Sequence, residues 1–172
     1  MALSKIDAAN FLTGTIPDTN INNASLDNVT GLPAGVGGKV LQVVQGSNST
    51  QMSTTSTSLV DTGLTASITP SSSSNKVLII VDAQGQFPAN TGFGNAIVRG
   101  STAIFQTNNY SNYDSTATQT NTRASYCYLD SPSTTASTSY KLQVHAYNPG
   151  TIIQNDGNNK TTMTLMEIEA WL

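Results

Sequence analysis

Glu167 and Glu169 have the spacing that acid–base chemistry could use. Residues two apart on a strand share one face, with Cα atoms roughly 6.5–7 Å apart, and paired carboxylates at comparable separations hydrolyse glycosidic bonds. A solvated strand face is the simpler interpretation of this pair. Aromatic residues are only 6% of the chain, which leaves few rings for a sugar-binding groove. A glycan hydrolase is therefore the remote alternative.

Nucleophilic chemistry has weaker signals. His145 is the one histidine, and its place on the polar face of a strand predicts an exposed residue without a catalytic role. Cys127 alternates with Tyr126 and Tyr128, which predicts a small packed side chain, and a single cysteine cannot form an intrachain disulfide. The Gly-x-Ser-x-Gly motif of a nucleophile elbow does not occur in the sequence. We therefore predict a protein without catalytic residues.

Oxygen ligands are concentrated at residues 155–159, with the sequence NDGNN. This stretch lacks the closing glutamate of a calcium loop, and the sequence offers no Cys/His cluster for zinc. We interpret it as a turn and predict no metal and no cofactor.

The most promising binding segment is the asparagine-rich stretch 108–114. Tyrosine rings can stack on a sugar, while amides and a carboxylate can bond its hydroxyls, and Tyr, Ser and Asn form adaptable binding surfaces. This predicts a receptor-binding or glycan-binding loop that uses Tyr110, Asn112, Tyr113 and Asp114. An ordinary asparagine-rich loop is the alternative.

Short alternating segments must position these residues. Apolar and polar residues alternate in 64–69, 123–130, 140–147 and 166–172, whereas 77–81 is continuously apolar, which favours a strand buried on both faces. Further strands are predicted at 40–44 and 52–59, and a hairpin joins 96–99 to 102–107 around Gly100. Eight or nine strands with loops of unequal length, the longer ones at 87–95, 108–121 and 148–160, predict an all-β, jelly-roll-like antiparallel β-sandwich.

Composition narrows the function classes. Charged residues are 10% of the chain, against about 25% in typical domains, and the net charge is −3 with a pI near 4.7. Seven scattered Lys and Arg residues give no basic footprint for nucleic acid. No run approaches the ~20 apolar residues of a membrane span. The N-terminus lacks the apolar core of a signal peptide, so we expect folding in a cytoplasm.

Residues 1–38 differ from residues 39–172. Their apolar residues are sparse and fall partly at intervals of five, which fits neither a helix nor a strand. Such a segment is stabilised when chains wrap together or stack; a flexible arm with chance spacing is the alternative. The residues available for anchoring are Leu3, Ile6, Phe11, Ile16, Ile21 and Leu26. The glycine-rich run 32–38 indicates a hinge before a head domain at 39–172.

An ordered set of phrases carries a resemblance. They are GKVLQVVQ at 38–45, DTGLTASITP at 61–70, SNKVLI at 74–79, RGST at 99–102, LDSPSTT at 129–135 and LMEIEA at 165–170. In this order they resemble the C-terminal domain of tail-fibre-like and other structural proteins of tailed phages, especially marine and cyanobacterial ones. The opening MALSKID, with GTIP at 14–17, also looks like the N-terminus of a phage fibre.

The resemblance implies a non-enzymatic protein of the virion surface, usually homotrimeric, with a β-sandwich head. It implies that residues 1–38 attach the chain to other virion proteins, of the tail or of the capsid. Tail fibres commonly have a long shaft, and only 38 residues precede the head here. The expected function is a short attachment fibre that binds a host surface glycan, with a capsid decoration protein as the alternative.

Overall fold

Alternating residues form eleven strands in the computed structural model, which describes residues 40–107, 109–148 and 150–170. The predicted anchoring residues of the 1–38 segment lie outside these ranges. Within them, no helix is long and apolar enough to cross a membrane. The strands are β1 (Val40–Asn48), β2 (Met52–Thr54), β3 (Val60–Ile68), β4 (Lys76–Pro88), β5 (Thr91–Arg99), β6 (Thr102–Gln106), β7 (Asn112–Asp114), β8 (Gln119–Asp130), β9 (Thr138–Ala146), β10 (Ile152–Gln154) and β11 (Thr161–Ile168).

The strands pair into two antiparallel sheets. Sheet A has the order β1-β11-β4-β8, with β10 and β2 continuing beside the far end of β4; sheet B has the order β3-β9-β5-β6, with β7 beside the start of β5. Eight strands remain when the short strands β2, β7 and β10 are set aside. Numbered one to eight in chain order, these strands are arranged 1-8-3-6 in sheet A and 2-7-4-5 in sheet B. This is the strand order of a jelly roll, so the predicted all-β antiparallel sandwich is confirmed.

The core lies between the sheets and follows the alternation in the sequence. Leu64, Ala66 and Ile68 of β3 are buried. So are every second residue of β9 from Tyr140 to Ala146, and Met163 and Leu165 of β11. The side chains of these residues point inward because successive residues of a strand face opposite sides of the sheet.

The continuous apolar run of β4 is covered on one side only. Val77, Ile79 and Val81 are fully buried, but Ile80 is 39% exposed and Leu78 is partly exposed. The prediction that both faces of 77–81 are buried is therefore wrong for the single chain. The described part of the chain supplies no layer over the outer face of sheet A.

The prediction of a long loop at 87–95 is also wrong. Strand β4 runs to Pro88 and β5 begins at Thr91, with Asn90 at φ 57° in the two-residue turn between them. Phe87 of β4 and Phe93 of β5 make an edge-to-face contact beside this turn, with ring centroids 5.8 Å apart. A Cβ at Gly85 would overlap the Phe93 ring, so only glycine fits there.

Candidate functional site

Three exposed tyrosines from two separate segments form one cluster at the end of sheet B. The ring centroids of Tyr110 and Tyr147 are 4.7 Å apart, those of Tyr110 and Tyr113 are 5.1 Å apart, and those of Tyr113 and Tyr147 are 5.8 Å apart. Their exposed fractions are 44% for Tyr110, 39% for Tyr113 and 38% for Tyr147. We call these three residues the tyrosine cluster.

Gly92 of β5 brings two members of the cluster together. Tyr113 of β7 pairs with Gly92 on one side, and the Tyr147 N–H donates to the Gly92 carbonyl on the other side at 2.9 Å. A Cβ at Gly92 would overlap the Asn112 carbonyl oxygen. Glycine is therefore required for β7 to approach β5 closely enough to place Tyr113 beside Tyr147.

Hydrogen bonds to Ser111 fix the third member. The Ser111 N–H and hydroxyl donate to the Phe93 carbonyl at 2.8 and 2.9 Å. The hydroxyl of Tyr126 donates to Ser111 Oγ at 2.7 Å, which ties the loop to β8 of the other sheet. The backbone beside Tyr110 is therefore fixed to both sheets through Ser111.

Asn112 and Asp114 point away from the tyrosine cluster. Both alternate with Tyr113 along β7, and Asn112 Nδ2 donates to the Thr122 hydroxyl of β8 at 3.1 Å. Within the described part of the chain, the buried Oδ1 of Asn112 has no hydrogen-bond partner. The structure thus brings together Tyr110 and Tyr113 of the predicted binding loop, and leaves its amide and carboxylate on the opposite side.

Asp114 stabilises its own turn. Its Oδ1 accepts the N–H groups of Ala117 and Thr116 at 3.0 and 2.8 Å, and its Oδ2 accepts the Thr120 hydroxyl at 3.1 Å. These hydrogen bonds, the two backbone ones first, lower the pKa of Asp114 to about 2. The carboxylate therefore orders the connection from β7 to β8. The glycan-binding role assigned to the loop from sequence stays a prediction.

Tyr147 was missing from the predicted site. It follows the buried row of β9 and stands in sequence among polar positions, where an exposed ring is unusual. The signal available in the sequence was the alternation of 140–147, which puts the Tyr147 ring on the polar side of the strand. The neighbouring Asn148 donates from Nδ2 to the Asn90 carbonyl at 2.9 Å, which ties the segment after β9 to the turn between β4 and β5.

A polar cleft of about 570 Å³ lies away from the tyrosine cluster. It lies between β8 and the 3-10 turn Asp156–Asn158, and its groups largely satisfy each other. Arg123 donates to both oxygens of Asp82, and Asp156 accepts from Gln51 and Gln86 at 2.9 and 2.7 Å. The prediction that 155–159 forms a turn is confirmed. In the described ranges no three His, Cys, Asp or Glu side chains are grouped to hold a metal ion.

Three residues considered for chemistry lie elsewhere than expected. His145 is 6% exposed because it packs against Gly94, with Nε2 3.3 Å from the Thr107 carbonyl. Cys127 is exposed on the outer face of sheet A instead of packed. Glu167 is fully buried, so the interpretation of a solvated face is wrong, and this carboxylate cannot reach a substrate.

Comparisons with known proteins add little. No protein-family model matches the chain, and no curated protein matches it. A chain from the structure of the infectious bursal disease virus Gx strain matches with 12% sequence identity and a TM-score of 0.43. The match covers 74% of this chain and 39% of that chain. Similarity at this level carries no argument about function.

Proposed function

We propose that this chain is a non-enzymatic structural protein on the surface of a bacteriophage particle, acting as a short, tail-fibre-like attachment protein. Residues 1–38 anchor it to other virion proteins of the tail or capsid, and the sandwich of 39–172 projects outward. The chain is made and folded in the host cytoplasm and assembles as a homotrimer. The location rests on the resemblance to tailed-phage proteins. The attachment role rests on one observation, the tyrosine cluster.

The chemistry of the tyrosine cluster suits a host surface glycan. A tyrosine combines an apolar ring face, which can contact the C–H groups of a sugar, with a hydroxyl that can hydrogen-bond. The carboxylate of Asp114 is engaged in its own turn and points away from the rings, so an uncharged ligand meets no free carboxylate from β7. Because Ser111 and Gly92 fix the backbone and the three rings pack on one another, little conformational entropy is lost when a ligand binds.

Loss of two rings tests the attachment role. We expect the double variant Tyr110→Ala, Tyr147→Ala to weaken binding to purified host surface polysaccharide about 100-fold, since each buried aromatic contact contributes about 1–2 kcal/mol. Phage adsorption to host cells should fall with it. Ser67→Ala, on the outer face of the same sheet, is the matched control. Unchanged adsorption by a particle carrying the folded double variant would refute a role for the tyrosine cluster.

The anchoring role has a separate test. We expect the triple variant Phe11→Ser, Ile16→Ser, Ile21→Ser to be absent from purified particles, because the apolar residues that would pack against the virion are gone. Immunoblotting of particles against the free protein pool measures this. A triple variant incorporated at the parent level would sink the assignment of residues 1–38 as the anchor.

The capsid decoration alternative shares this anchor and differs in location. Antibody-gold labelling of particles separates the two. Gold at the tail agrees with attachment. Gold spread over the head, together with normal adsorption by the tyrosine double variant, would favour decoration.

A further inference from the structure

The outer face of sheet A is apolar across its full width at one end. The register aligns one row of four side chains, Val43 of β1, Met166 of β11, Leu78 of β4 and Leu129 of β8. Val43 is 57% exposed and Leu129 is 53% exposed. The next row contains Ile80 and Cys127, and the start of β1 adds exposed Val40 and Leu41. We call this surface the sheet A face.

The sequence of β4 is typical of a strand that is covered on both sides. Its run 77–81 is apolar at every position, as in sheets buried between two layers. In the single chain only the inner side has a layer. Beside it, β8 is a sheet edge twelve residues long, and among the described residues β4 is its only ladder partner. Long open edges of this kind are usually protected in native proteins.

We propose that a second copy of this chain covers the sheet A face, with the apolar row of each copy packed against that of the other. Four strands about 4.8 Å apart and eight residues deep give roughly 500 Å² per copy. Two copies would then bury about 1,000 Å², which reaches the lower limit of specific interfaces. Sheet-on-sheet packing of two such faces is the geometry inside β-sandwiches.

The charges of the sheet A face suit an identical partner. Although the whole chain has a net charge of −3, Asp82 and Arg123 on this face neutralise each other at 2.7 Å. Lys76, at the apolar end, donates to the Ser131 hydroxyl at 2.7 Å. Copies that approach through this face therefore meet little like-charge repulsion apart from Lys76, whose long side chain can keep its ammonium group in water at the rim. A strongly charged partner would find no complementary field here.

This contact is twofold, because the same face of each copy packs on the other. It is additional to the homotrimer of the proposed function, and the chain contains a probe for it. Cys127 is the only cysteine and stands exposed in the row beside Ile80. We expect the full-length protein to sediment as an oligomer in which a maleimide alkylates Cys127 at least about tenfold more slowly than in the dissociated chain. The protection should increase with protein concentration, because a second copy provides it.

Introduction of a charge into the apolar row completes the test. We expect Leu129→Asp to weaken self-association about 100-fold and to expose Cys127, because a carboxylate would be buried without a partner. Leu129 is more than half exposed in the single chain, so the fold should tolerate the change. Ser67→Asp places the same charge on the outer face of sheet B and should leave both readouts unchanged.

Three results would overturn the proposal. A parent protein that is monomeric with reactive Cys127 leaves the sheet A face to a different partner. An oligomer in which Cys127 stays reactive associates through another surface. Protection that is independent of protein concentration in a monomer means that the cover comes from within one chain. Each of these outcomes leaves adsorption by the tyrosine variants unaffected, so failure here is distinguishable from failure of the attachment role.

Discussion

Replacement of Glu167 by alanine is expected to lower the free energy of unfolding by about 3–5 kcal/mol, because it leaves several buried donors without their charged acceptor. Oε1 of Glu167 accepts the N–H and the hydroxyl of Ser71, both at 2.7 Å, and Asn75 Nδ2 at 2.6 Å. Oε2 accepts from the side-chain amide of Gln42. This carboxylate connects β11 to β1 and to the segment between β3 and β4. Chemical denaturation at pH 7 measures the loss.

The same carboxylate predicts a specific pH dependence. Burial alone would raise the pKa of Glu167, but the hydrogen bonds from Gln42, Asn75 and Ser71 outweigh it and lower the pKa from 4.5 to about 2. A carboxyl whose pKa is lower in the folded state than in the unfolded state stabilises the fold. Its contribution is fully present at a pH above the pKa of the unfolded state. Its contribution is then lost as the pH falls from about 4.5 to about 2.

Glu167→Gln is the variant that isolates this effect. It keeps the size of the side chain and removes the charge, so the difference in unfolding free energy between the parent and Glu167→Gln should be largest at neutral pH and shrink towards pH 2. Asp114, whose pKa is also about 2, is present in both proteins and cancels in the difference. A difference that stays constant from pH 7 to pH 2 would contradict a charged Glu167 in the folded state.

Local alternation was sufficient to predict the inner faces of β3 and β9. The pattern Leu64, Ala66, Ile68 and the pattern from Tyr140 to Ala146 give period two over several residues, and each row is buried as predicted. Period two is a property of neighbouring residues, so no tertiary contact is needed to recognise it. The all-β sandwich follows from the number of such segments.

Contacts between distant residues account for the errors. The partners of Glu167 come from residues 42, 71 and 75, which are more than ninety positions away, so nothing near Glu167 in sequence indicates that it is buried. Residues 87–95 contain Pro88, Asn90 and two glycines, which favour a loop. The packing of Phe87 against Phe93 instead extends β4 and β5 through this stretch.

The tyrosine cluster and the sheet A face show two further limits of local reasoning. Tyr147 joins Tyr113 only because β7 and β9 both pair with β5 around Gly92, a register that no short window contains. The run 77–81 correctly indicated that β4 is apolar on both sides. Alternation cannot say whether the second cover belongs to the same chain or to a copy of it.

Asp130 supports the second large stability prediction, since it connects the two sheets through buried polar atoms. It ends β8 of sheet A, and its carboxylate accepts the hydroxyl of Tyr140 at 2.7 Å and both contacts from Arg99 Nη1, at 2.9 and 2.8 Å. Arg99 and Tyr140 are paired neighbours in sheet B. Tyr140 is fully buried and Asp130 is 5% exposed, whereas the Arg99 side chain is 31% exposed, so the hydrogen bond between Tyr140 and Asp130 is the part of the network shielded from water.

We expect Asp130→Ala to lower the free energy of unfolding by about 2–4 kcal/mol, because the buried Tyr140 hydroxyl loses its acceptor and Arg99 loses its charged partner, keeping only the Ser131 carbonyl. Tyr140→Phe should cost only about 1 kcal/mol, since it removes one donor and leaves the pair of Arg99 with Asp130 intact. The exposed pair Lys141–Asp61, at 2.9 Å, is the matched control, and Asp61→Ala should cost about 1 kcal/mol at most.

A double-mutant cycle then separates the hydrogen bond from general destabilisation. In the Asp130→Ala background the Tyr140 hydroxyl is already unpaired, so Tyr140→Phe should be neutral or stabilising there, although it destabilises the parent. Denaturation of the four proteins under one set of conditions measures the interaction energy. Strictly additive losses would mean that the two side chains act independently, and that Asp130 connects the sheets through Arg99 alone.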